Sequence, residues 1–98
     1  STPAQFVNEL QKLKAEIEQL KASADPATSR RLDVVQGDLQ DAIEESSKEK
    51  PMAERIKSTL DGAKETMEKL GGSIGAAVNL GTTIGNLALM VFKLFGGG

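Results

Sequence analysis

The residues able to do chemistry in this sequence are carboxylates, hydroxyls and glycines. The chain has neither His nor Cys. Imidazole bases, thiolate nucleophiles, disulfides and the commonest soft metal ligands are therefore excluded. Acidic residues occur in close pairs: Glu16 and Glu18, Asp38 and Asp41, Glu44 and Glu45. Asp38 and Asp41 are three apart and share one face of a helix, so a weak cation site is conceivable there. The solvated acidic face of an amphipathic helix explains the same spacing. No run alternates oxygen donors around a Gly and closes on a Glu, as a calcium loop requires. Ser46-Ser47 and Ser58-Thr59 lack a partner that could take their protons. Gly71-Gly72-Ser73-Ile74-Gly75 is rich in glycine, as phosphate loops are, but it lacks the Gly-Lys-Ser/Thr ending and a preceding strand. Arg30-Arg31 is a single basic pair beside Asp33. No catalytic, cofactor or metal residues are assigned, and the sequence is read as non-enzymatic, with no small-molecule substrate.

Charge narrows the partners further. Twelve basic against fourteen acidic residues give a net charge of −2, which leaves no basic excess for nucleic acid. The first twenty residues are charged and periodic, unlike a signal peptide. Together with the lack of cysteine this gives a cytoplasmic expectation, with membrane association left open. The start Ser1-Thr2-Pro3 suggests a piece of a longer protein.

The elements that carry these residues are helices. Phe6, Leu10, Leu13, Ile17 and Leu20 step by four, three, four and three, a helical stripe that Val7 broadens toward a bundle face. Leu32, Val35, Leu39 and Ala42 or Ile43 repeat the pattern. So do Met52, Ile56, Leu60, Ala63, Met67 and Leu70. Each of the three prolines reads as the opening of a helix, where a missing N–H costs nothing. Thr2 with Gln5 has capping-box spacing. Asp25 precedes Pro26 as an N-cap. Lys50 before Pro51 is a poor cap that Glu49 or Ser47 would assist. Gly71-Gly72 after Lys69 ends the third segment, and Ser73 caps a fourth. Lys12 with Glu16, Lys14 with Glu18, Glu44 with Lys48 and Glu65 with Lys69 mark solvent faces. Asp61-Gly62 lies inside a helical period and does not turn the chain. The expectation is one all-α domain over residues 1–98, an antiparallel bundle of about four helices near 3–23, 26–48, 51–69 and 73–95.

The last helix differs from the rest. Residues 71–98 contain a single charge, Lys93. From Ile74 to Phe95 the run is about 33 Å long as a helix, enough for a bilayer core of roughly 30 Å. Asn79, Thr82, Asn86 and Lys93 form one polar stripe, and the remainder is apolar. Gly71 with Gly75 and Gly81 with Gly85 have the small-xxx-small spacing that lets backbones approach. Three roles compete for this helix: the core of the bundle, a self-association surface, and insertion into or along a membrane. Two Asn, two Thr and internal glycines weigh against a permanent span. The residues assigned to association are Gly75, Gly81 and Gly85 for close approach, with Ile84, Leu87, Val91, Phe92 and Phe95 for apolar burial.

The order of elements also resembles a known class of module. A charged helical pair is followed by the connector Lys48-Glu49-Lys50-Pro51, then a shorter helix, then a Gly/Ala-rich apolar tail ending in Lys93-Leu94-Phe95-Gly96. In pattern this is similar to small helical modules at the ends of multidomain bacterial proteins of conflict and signalling systems. The resemblance implies an adaptor that joins effector domains through homotypic contact. A weaker similarity is to helical membrane-permeabilising domains of cell-death effectors. Neither carries an individual functional residue over to this chain. The functional expectation is a self-associating helical module, with a membrane-active domain as the alternative.

Overall fold

A computed structural model describes residues 1–96. Gly97 and Gly98, the end of the expected tail, lie outside the described residues. Four helices follow in order: α1 (Pro3–Lys21), α2 (Pro26–Ser46), α3 (Ala53–Leu70) and α4 (Gly75–Phe95). There are no strands among the described residues.

The helix starts divide into two kinds. Thr2 and Gln5 form the full capping box, with the Thr2 hydroxyl accepting the Gln5 N–H at 3.1 Å and the Gln5 side chain accepting the Thr2 N–H at 3.0 Å. The Asp25 carboxylate accepts the Thr28 N–H at 2.7 Å. Pro3 and Pro26 occupy the first helical positions, as expected. The other two starts depart from the sequence reading. Pro51 precedes α3 instead of opening it, and the N-cap is Met52, which has no side-chain cap. Ser73 does not cap α4. Its N–H is held by the Leu70 carbonyl at 2.9 Å, so it belongs to the preceding turn, and Ile74 takes the N-cap position.

The helix ends are earlier than expected for α1 and α2. Ser23 and Ala24 bond back to Leu20 and Lys21 with the tighter three-residue spacing, which closes α1 at Lys21. In α2 the Ser46 and Ser47 hydroxyls donate to the Ala42 and Ile43 carbonyls at 2.6 and 2.8 Å. Such back-bonds compete with helix continuation, and α2 stops at Ser46. Gly71 ends α3 in right-handed backbone, φ −58°.

Contacts across the helices fix an antiparallel bundle. Lys14 reaches Gln40, and Lys21 reaches Gln36 and Asp33, so α1 and α2 run oppositely. Gly81 lies against Met67 and Gly85 against Lys64, which does the same for α3 and α4. Phe6, near the start of α1, packs edge-on against Phe95 at the end of α4, with centroids 5.3 Å apart. The α3–α4 interface is the most extensive, and α1 and α4 meet far less than consecutive helices do. One core draws on all four stripes: Phe6 to Ile17, Leu32 to Ile43, Ala53 to Leu70 and Ala77 to Val91. Leu20 is only partly buried, and Met52, expected on the third stripe, is exposed. Every buried side-chain polar atom among the described residues has a hydrogen-bond partner.

Candidate functional site

The residues expected to mediate association separate into two groups on α4. Ile84, Leu87 and Val91 are buried in the core of the chain itself. Their apolar burial is therefore satisfied against α1 and α3 of the same bundle rather than kept for a second molecule. Gly81 is also buried. A Cβ placed there would sit 3.4 Å from the Met67 Cβ, so this glycine brings α4 close to α3. Gly85 does the same more loosely, with the flexible Lys64 side chain lying where its Cβ would be. The Gly81–Gly85 spacing thus works inside the bundle. Gly75 is exposed, with nothing within 4 Å of a Cβ, and makes no close approach.

Phe92 and Phe95 behave differently again. Phe95 is half-buried against Phe6. Phe92 is 47% exposed. Leu89, one turn earlier, is 77% exposed, and Val78 is 54% exposed. At 100° per residue, Val78, Gly85, Leu89 and Phe92 fall on one shoulder of α4. This shoulder is about 21 Å long. At its C-terminal end Phe92 shares a cleft with Met52, itself 54% exposed, and with Phe95. The apolar edge therefore continues from α4 onto the α2–α3 connection.

Beside this edge lies the stripe of Asn79, Thr82, Asn86 and Lys93, all exposed. The Thr82 hydroxyl donates to the Val78 carbonyl and Thr83 to Asn79, both at 3.0 Å. Solvent thus meets the polar stripe, while the opposite face of α4 is buried in the core.

On the other side of the edge the groove between α3 and α4 is lined by Lys57, Asp61, Lys64 and Glu68, facing Thr82, Gly85, Asn86 and Leu89. Lys57 pairs with Asp61 at 2.7 Å and Lys64 with Glu68 at 3.6 Å. Neither pair is among the four that spacing marks as solvent faces, of which Glu65–Lys69 forms. Lys12 instead reaches back to Glu9 and Lys48 to Glu45, while Lys14 crosses to Gln40.

The acidic pairs carry structural chemistry. Burial and the neighbouring Asp41 push the Asp38 carboxyl above its usual range. No group of three or more Asp or Glu able to hold a metal occurs among the described residues. Glu45 is the acidic side chain that periodicity misses. It is buried at the end of α2, receives hydrogen bonds from the Lys48 ammonium at 2.8 Å and the Met52 N–H at 3.0 Å, and lies 3.7 Å from Arg55. The Lys48 bond and then the Met52 bond hold its carboxyl below the usual glutamate range. This carboxylate fastens the connection on which Met52 is displayed.

By length and composition α4 is also long and apolar enough to cross a membrane. Comparison of the chain with protein-family models, with curated proteins and with solved structures gives no match.

Proposed function

We propose that this chain is a non-enzymatic association module that joins copies of itself through the exposed apolar shoulder of α4. The observation that carries the reading is the clustering of Leu89, Phe92, Val78 and Met52, four of the five large apolar residues left exposed among the described residues, while the fifth, Val34, stands alone on α2. Single exposed apolar residues are ordinary, whereas aligned ones on one helix shoulder make a contact surface. Together with the adjoining wall of α3, the shoulder forms a face about 30 Å long and two helices wide, on the order of 600 Å² per copy. Twice that area sits at the lower edge of stable interfaces, so the expected association is reversible and concentration-dependent. Replacing Leu89 by Asp tests the reading. The folded variant should be monomeric where the parent chain associates, and an unchanged mass would refute it.

A second reading has one observation in its favour. A helix with the length and composition of a membrane span lies with less than half of that span buried. In this alternative α4 leaves the bundle and enters lipid, with Lys93 at the interface. The core weighs against it: Ala77, Leu80, Ile84, Leu87, Ala88 and Val91 would all be withdrawn from α1–α3. Flotation with liposomes, comparing residues 1–98 with 1–72, separates the two readings. Lipid binding that depends on residues 73–98, by a chain that stays monomeric in buffer, would favour insertion.

A further inference from the structure

The charges beside the apolar shoulder bear on how two copies face each other. Along the groove wall of α3 the order is Lys57, Asp61, Lys64, Glu68, with steps of four, three and four residues. At 100° per residue these four lie within a single narrow stripe. Their signs alternate, plus, minus, plus, minus. Reversing the row about its midpoint, between Asp61 and Lys64, exchanges every sign. A second copy laid antiparallel across this point therefore sets Lys57 opposite the partner's Glu68 and Asp61 opposite the partner's Lys64, each pair twice. A parallel two-fold pair centred on this row has no stagger along the helix and sets each charge against its own like, and one centred on the groove sets the row against α4, whose single charge is Lys93.

The apolar shoulder follows the same axis. Because Gly81 lies against Met67 and Gly85 against Lys64, the midpoint of the α3 row falls beside Asn86 on α4. Reversal about Asn86 brings Leu89 opposite the Thr82–Gly85 turn of the other copy. There Gly85 has no side chain of its own, and the flexible Lys64 stem that covers it must turn toward the partner copy for Leu89 to seat. It also brings Phe92 within a turn of the other copy's Val78. A projecting leucine and a glycine covered only by a flexible side chain lie on the same groove, as an isologous contact requires.

We infer that this chain forms an antiparallel, two-fold symmetric pair across the α3–α4 groove, with Leu89 of each copy seated by Gly85 of the other and the alternating α3 row selecting the orientation. This rests on the association reading above. The exchange experiment uses two variants of the full chain, Lys57→Glu with Lys64→Glu, and Asp61→Lys with Glu68→Lys. Each carries a row of one sign. At low ionic strength each alone should pair about tenfold or more weakly than the parent chain, and an equimolar mixture should recover pairing. Circular dichroism establishes that both are folded. Should either unfold, Lys64→Glu and Asp61→Lys, which face each other across the axis, make the same exchange. Self-association of each variant at parent strength, or no recovery on mixing, overturns the antiparallel geometry. If Leu89→Asp still abolishes association in that case, the α4 shoulder remains the contact. If Leu89→Asp leaves association intact, the reading of the shoulder itself fails.

Discussion

The Glu45 carboxylate accepts the Met52 N–H at 3.0 Å and so ties the last turn of α2 to the residue that opens α3. Met52 is extended, φ −94° and ψ 105°, and no side chain of its own caps the helix. An acid from the previous helix accepts the N-cap's own N–H, the bond that a third-position Glu or Gln makes in a capping box. Placed at the N-terminus of α3, its charge is favourably oriented to the helix dipole. Glu45→Ala should lower the melting temperature and increase amide exchange at Met52 to Ile56. Exchange confined to its present level in the variant would contradict this role.

The pH dependence follows from the same residue. Glu45 titrates below the ordinary glutamate range in the folded chain, through Lys48 and then Met52. A depressed acid contributes stability above its unfolded pKa, lost as the pH falls through the folded value. Asp25, lowered chiefly by the Thr28 N–H, has the same sign. Asp38 has the opposite sign, because burial and Asp41 raise it. Asp38→Asn should therefore stabilise the fold at neutral pH, with the gain shrinking as acid protonates the parent residue. Thermal melts of parent and variant from pH 7 to pH 3 measure this, and a neutral-pH loss of stability would count against it.

Glycine substitutions should divide by what surrounds them. Gly37 and Gly62 lie inside α2 and α3 with nothing within 4 Å of an added Cβ. Each change to Ala should stabilise by about 0.5–1 kcal/mol through helix propensity. Gly81→Leu should destabilise by roughly 1–3 kcal/mol, because its side chain must displace Met67 and the α3 backbone. Chemical denaturation reads all three. A neutral Gly81→Leu would mean that α3 and α4 are not in close contact there.

Phe6 joins α1 to α4, an interface much smaller than those between consecutive helices. It is buried, and its ring meets Phe95 edge-on at 70°. Phe6→Ala should cost about 3–5 kcal/mol and loosen the C-terminal turn of α4, which protease sensitivity near Phe95 would report. Unaltered stability would show that α1 and α4 are joined elsewhere.

Much of the fold is legible in the sequence because helical period and apolar stripes survive translation into a bundle. Phe6, Leu10, Leu13 and Ile17 are buried as their spacing predicts, and Thr2 and Asp25 cap as their types predict. The α3 start is not legible, because its capping partner, Glu45, comes from another helix. Ser73 looks like a cap locally but is claimed by the Leu70 carbonyl. On α4 the glycine spacing is visible, but spacing cannot tell whether the approaching backbone belongs to the same chain. For Gly81 it does, since Met67 lies there. Ile84, Leu87 and Val91 are equally apolar on paper to Leu89 and Phe92. Only the packing of α1 and α3 divides them into interior and shoulder.

The central claim is that the exposed shoulder of α4 joins copies of the chain. Light scattering on purified chain from low micromolar to high micromolar concentration tests it most directly, with Leu89→Asp measured alongside and both shown to be helical. The mass should rise with concentration above the 10.4 kDa of one chain, while the variant stays at the single-chain value. A parent chain that remains at the single-chain mass throughout, or a variant that associates as the parent does, would contradict it.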